Sequence, residues 1–180
     1  TNDFFTEIYQ GIHDTAMKKG YLTSLYQINN QEDSLEVLLN RRPDGIILGT
    51  KISEEMIKQM KETGISTVCI AAAGMQEQEI STLVDNYQAT IEVMDYLYKL
   101  GHRKIGIITN QSKKGSGNQR LRGYKKALKN YGIKYRSKYV NYIHQNDYHY
   151  NLGYLNMKKI LARKTDLTAI IANNDLVAIG

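Results

Sequence analysis

The side chains able to do chemistry in this chain are mostly neutral and polar, and they gather in four places. Asn2-Asp3-Phe4-Phe5, residues 71–74, the stretch from Asn110 to Arg120, and Asn173-Asn174-Asp175 each stand where an apolar run ends or is expected to have ended. Carboxamide, carboxylate and guanidinium groups donate to and accept from vicinal hydroxyls, and an aromatic ring covers the apolar face of a sugar. That is the chemistry of reversible binding rather than of bond breaking.

Catalytic patterns do not compete with this reading. His13, His102, His144 and His149 show neither the H-E-x-x-H spacing nor a Cys/His pair that would hold zinc. There is no G-x-S-x-G elbow, no P-loop and no G-x-G-x-x-G after a strand, and "KKGSGNQR" lacks the G-K-[ST] that puts a lysine and a hydroxyl on phosphate and metal. The single cysteine, Cys69 in "STVCIA", excludes an internal disulfide framework and reads as a small buried hydrophobe, with the cytosol the favoured compartment. We expect no enzyme, no cofactor and no metal site.

The elements that must position these side chains follow an alternating grammar. Residues Thr6 to Lys19 carry Ile8, Ile12, Ala16 and Met17 as a helical stripe, with Asn2 or Asp3 able to cap it, and Gly20 closes it. "YLTSLYQI" reads as a strand, Ser34 to Asn40 as a helix, "DGIILGT" as a strand, Ser53 to Glu62 as a helix, "STVCIAA" and "ISTLVD" as strands, and Tyr87 to Leu100 as a long helix. A second round repeats the pattern: strand "RKIGIIT", a Gly/Ser-rich loop over 113–117, a helix from Gln119 to Asn130, strand "KYVNYI", a helix from Tyr148 to Leu161, and strand "LTAIIA", with a final helix starting after Asn173-Asn174-Asp175. Apolar strands separated by helices describe parallel sheet covered on both faces. The expected architecture is α/β, two open lobes over 1–85 and 86–180, with the first strand of one lobe and the later part of the other lying outside this sequence. In such sheets ligands bind at the carboxyl ends of the strands, which is where the polar clusters fall.

The formal charge is +6, and ten Lys or Arg with no acid lie between Lys113 and Lys138. That run lacks the contiguous basic helix face of a DNA reader and is read as a solvated surface around a polar pocket. No stretch approaches the roughly 20 apolar residues of a membrane helix.

Seven segments carry a resemblance to a family. "FFTEIYQGIHDTAMKKGY", "RRPDGIILGT", "LVDNYQAT", "YKLGHRKIGIIT", "QRLRGYKKALKNYGI", "YHYNLGYLNMKKIL" and "LTAIIANNDLVAIG" are similar, in order and spacing, to the effector-binding domain of the lac/galactose repressor family of bacterial transcriptional regulators. The resemblance covers essentially the whole chain. It implies two Rossmann-like lobes of the periplasmic-binding-protein-like type I, joined by crossovers, with a small sugar-like effector in a cleft.

It also implies a cytoplasmic homodimer, and an operator contacted through a preceding helix-turn-helix domain that this sequence does not contain. By position, Arg120 matches the family arginine that hydrogen-bonds the effector, and Ser116 matches a position that often contributes a hydroxyl. Asn174 or Asp175 matches the Asn-Asp pair that reaches the ligand, and Phe4 and Phe5 match the aromatic pair after the first strand. Ala71-Ala72-Ala73 stands where many members have Asp-Arg, which leaves the identity of the ligand open. The alternative reading is a solute-binding protein of a sugar transport system.

Overall fold

The structure is a computed structural model, and it describes residues 3–26, 31–49, 53–70, 81–82, 84–111, 115–143 and 150–180. The chain divides into two compact units, Thr1–Leu83 and Val84–Gly180.

In the first unit the elements are α1 (Asp3–Lys18), α2 (Gln31–Asn40), β1 (Gly45–Leu48), α3 (Glu54–Glu62), β2 (Ser66–Ile70) and β3 (Ser81–Thr82). The strands run parallel in the order β1-β2-β3, with Ile46 beside Thr67 and Leu48 beside Cys69. Alternation along β1 turns Ile46 and Leu48 inward, where they meet Cys69 and the i, i+4 pair Met56 and Met60 of α3. α3 begins where the Ser53 hydroxyl accepts from the backbone N–H of Met56, at 3.1 Å, and Gly64 at φ +69° follows its last turn.

One expectation fails here. The strand read over "YLTSLYQI" is absent over residues 21–26, where Leu22 is 90% and Leu25 73% exposed, and residues 27 and 28 lie outside the described residues. Apolar alternation supplies a propensity, but a strand exists only through hydrogen bonds to a neighbour. Among the described residues β1, β2 and β3 pair only with one another. For "ISTLVD" the ladder reaches only Ser81 and Thr82.

The second unit holds α4 (Asn86–Lys99), β4 (Ile105–Asn110), α5 (Ser116–Asn130), a 3-10 turn (Ser137–Tyr139), β5 (Val140–Ile143), α6 (Tyr150–Ala162), β6 (Ala169–Ile171) and α7 (Asp175–Ile179). Its strands are parallel in the order β5-β4-β6, so β4 is central and almost wholly buried. One cluster joins Ile105 and Ile107 to Met94 of α4 and to Tyr124, Ala127 and Leu128 of α5. Another joins Ile108 and Ile143 to Ile160 of α6 and Val177 of α7. Both faces of this sheet are therefore covered, as parallel pairing demands.

Close backbone approach sets the helices. A β-carbon on Gly123 would lie 2.5 Å from the Tyr87 carbonyl oxygen, and one on Gly153 would collide with that of Val177. At the opposite edge from the strand carboxyl ends, Asp166 binds Lys104 at 2.9 Å and Lys138 at 3.6 Å and accepts the Tyr139 hydroxyl. Nearby, the Tyr98 and Tyr131 rings stack at 3.8 Å with the Arg103 guanidinium 3.6 Å above Tyr98, and the Tyr131 hydroxyl donates to Asp95.

Candidate functional site

β4 and β6 are parallel neighbours, with Ile107 beside Ile171, so their carboxyl ends open on one edge. Beyond β4 the chain re-enters helix at Gly115, whose φ of +108° suits glycine and leaves the first turn of α5 without a side-chain cap. Gly117 is then pressed onto the strand end, since a β-carbon there would lie 2.8 Å from both the carbonyl oxygen and the β-carbon of Asn110. Only a residue without a side chain lets α5 start this close to β4. Ser116 thus becomes the first residue of the helix rather than part of a loop, and Arg120 stands one turn further on.

The side chain that meets Arg120 comes from the end of β6. Asn173, 6% exposed, accepts a hydrogen bond from Arg120 Nη1 on its Oδ1 at 3.1 Å. Guanidinium is donor-only, so the oxygen of the carboxamide must face it. Thr109, fully buried at the end of β4, has its Oγ1 3.4 Å from the same oxygen and 3.3 Å from the Gly117 carbonyl, so its one proton serves either acceptor. Two strands and one helix are tied through three side chains.

The residues singled out from the sequence fall in both units. Ser116, Arg120, Asn174 and Asp175 lie in the second, at the edge just described. Asn174 caps α7 through its side-chain oxygen, which accepts from the Val177 N–H at 3.0 Å, and Asp175 is exposed in the first turn of that helix. Phe4 and Phe5 lie in the first unit, about half exposed in the first turn of α1, with ring centroids 5.2 Å apart and nearly perpendicular. The Phe5 ring sits beside Gly49, just past the carboxyl end of β1, where a β-carbon would be 3.8 Å from it.

Asn2, Ala71 to Ala73 and Tyr148 lie outside the described residues. Asn173 belongs to the polar cluster but is not among the residues matched to the effector; its signal is its place two residues past the half-buried β6, one residue before the cap.

Among the described residues no group of three or more His, Cys, Asp or Glu could hold a metal ion, and no helix is long and apolar enough to cross a membrane. The model of the family of periplasmic binding proteins and sugar-binding domains of the LacI family matches residues 1–180. The chain belongs to this family.

Among relatives, the HTH-type transcriptional repressor CytR of Escherichia coli (strain K12) is 27% identical over 183 residues, covering 98% of this chain and 52% of that protein. The crystal structure of a transcription regulator from Lactobacillus plantarum superposes with a TM-score of 0.86 at 28% identity, over 98% of this chain and 65% of that one. A complex of the transcriptional regulator CelR with cellobiose superposes at 0.84 with 25% identity, over 97% of this chain and 54% of that one. The chain thus spans about half the length of the curated relative. Its two-lobed periplasmic-binding-protein-like α/β fold is a partial domain relative to such LacI-family proteins.

Proposed function

We propose that the chain is the effector-sensing part of a bacterial DNA-binding transcriptional regulator, a repressor, and that it binds a small sugar-like molecule. The observation that carries this reading is the placement of Arg120 at the joint carboxyl ends of β4 and β6, in a chain whose family model matches from end to end. A guanidinium held at a strand edge can donate two parallel hydrogen bonds to neighbouring hydroxyls. Ser116, Asn174 and Asp175 lie at the same edge and supply further donors and acceptors. Within the first unit, the Phe4 and Phe5 rings are of the kind that covers an apolar sugar face.

Relatives named as repressors, and one solved neighbour holding cellobiose, support the same assignment. In the whole protein, dimerisation would pair two DNA-binding heads on a palindromic operator. Effector binding would then bias a two-state equilibrium and so couple sugar to operator.

Calorimetric titration of the full-length protein with pentoses, hexoses, disaccharides and nucleobases tests this, repeated with Arg120→Ala. We expect one compound to bind, and the substitution to weaken it at least tenfold, about 1.4 kcal/mol. Binding of nothing in the panel, or no change on substitution, defeats the proposal.

A further inference from the structure

We infer that Asn173 is a positioning residue, which orients the Arg120 guanidinium for a hydroxyl-bearing effector without itself setting a negative charge beside it. The inference rests on the effector reading above and adds to it a residue that makes its contribution through the arginine. Its basis is the chemistry of the acceptor. Asn173 is buried, and its Oδ1 accepts from Arg120 Nη1 at 3.1 Å. Thr109 Oγ1, itself buried on the central strand, stands 3.4 Å from that same oxygen, and its other acceptor is the Gly117 carbonyl in the first turn of the helix that carries Arg120.

The amide is therefore braced from behind by β4 and faces the arginine in front. An arginine side chain has four rotatable bonds, and ordering it on binding subtracts from affinity. An acceptor already in place removes part of that cost before the effector arrives.

The choice of amide over carboxylate matters. A carboxylate in this buried position would hold the guanidinium at least as firmly, but it would neutralise it as an ion pair. Hydrogen bonds from a charged donor to neutral hydroxyls are stronger than those from a neutral one. A neutral acceptor fixes direction without itself adding a negative charge.

The test uses full-length protein with selectively 15N-labelled arginine, Arg120 being identified by loss of its signal in Arg120→Lys. In the wild type we expect separate Arg120 Nη signals at low temperature, because the hydrogen bond slows rotation about the Cζ–Nη bond. Asn173→Ala should merge them, and Asn173→Asp, which keeps an acceptor in the same place, should restore them. Calorimetry with cellobiose and ribose as probes forms the second arm. Asn173→Ala should weaken the bound sugar at least fivefold in the wild-type background and change nothing further when Arg120 is already Ala.

Unaltered Nη signals in Asn173→Ala overturn the inference, as does an equal loss of affinity with and without Arg120, which marks a general structural role. If neither sugar binds while the Nη signals respond as expected, the choice of effector fails and the hold of Asn173 on Arg120 stands.

Discussion

At the scale of single residues, the charges outside the candidate site explain how one end of the second unit is held. Asp166 is kept well below the ordinary carboxylate value of 3.8, first by the Tyr139 hydroxyl and then by Lys104, whose own pKa is raised by the same partner. A depressed carboxylate contributes stability that is present above its unfolded value and is lost as pH falls toward its folded one. The raised lysine contributes below its ordinary 10.5 and loses that as pH rises past it. The window in which both contribute therefore runs from about 4 to about 10.

Asp166→Asn should lower the melting temperature at pH 7, with the gap to wild type narrowing steadily as pH falls below about 4; a gap that stays constant through that fall would mean packing, not charge. Both partners of the Lys104 pair are about half exposed, so the effect is small and salt-sensitive. The same scale shows what sequence could and could not reveal about the site. Arg120 is legible through the resemblance of "QRLRGYKKALKNYGI" to the repressor family. Asn173 carried no motif, and its role emerges only when β6 is laid beside β4.

At the scale of elements, two devices hold α6 in register. Its Asn156 accepts from Asn141 of β5 at 2.7 Å and donates to the Leu152 carbonyl at 2.7 Å, while Arg163 donates to Asn141 Oδ1 and to the Val140 carbonyl, both at 2.9 Å. Asn156→Ala leaves the buried Asn141 amide without that partner and should cost about 1–3 kcal/mol in denaturant unfolding. Asn141→Leu combined with Asn156→Leu should lose less than the sum of the two single changes, because neither amide of the pair is then left facing an apolar partner, while the loss of the Arg163 acceptor is counted once.

The second device is Gly153. Gly153→Ala drives a β-carbon into the Val177 carbonyl, a backbone group that cannot rotate away, and should cost about 1–3 kcal/mol. Gly11→Ala, on α1 with nothing within 4 Å, should instead stabilise by about 0.5–1 kcal/mol, and thermal unfolding of the pair separates contact from helix propensity.

Element boundaries show where periodicity stops informing. α4 begins at Asn86 behind an Asp85 cap that accepts from the Gln88 N–H, whereas the sequence reads Asp85 as the end of a strand and Tyr87 as the start of the helix. α5 begins at Ser116, three residues before the Gln119 that the sequence suggests, because "GSG" reads as loop when glycine makes the turn and no side chain caps it. The strand expected over 21–28 shows the reverse case, where local pattern is present and the partner is not.

At the scale of the whole molecule the two units differ in both core and charge. Among the described residues the first unit's buried cluster draws on one sheet face, whereas the second has a cluster on each face of a central strand bonded on both sides. Amide hydrogen exchange should therefore be slowest at Ile107 and Ile108 and much faster throughout β1 and β2; comparable protection in both sheets would contradict this. The sequence places seventeen Lys or Arg against six Asp or Glu in the second unit, and seven against twelve in the first. A net charge of +6 therefore conceals two halves of opposite sign, a long-range pattern that composition alone does not disclose.

The Tyr98–Tyr131 stack carries a consequence of a different kind. The chain contains fourteen tyrosines and no tryptophan, so tyrosines dominate its ultraviolet response. Two rings 3.8 Å apart and 11° from parallel couple their transition dipoles, and a phenol bonded to a carboxylate loses much of its ordinary emission by passing its proton to that carboxylate on excitation. The pair should therefore add to the near-ultraviolet dichroism and contribute little ordinary tyrosine emission. Splaying α4 from α5 would trade one signal for the other, an optical gauge of that joint that needs no label.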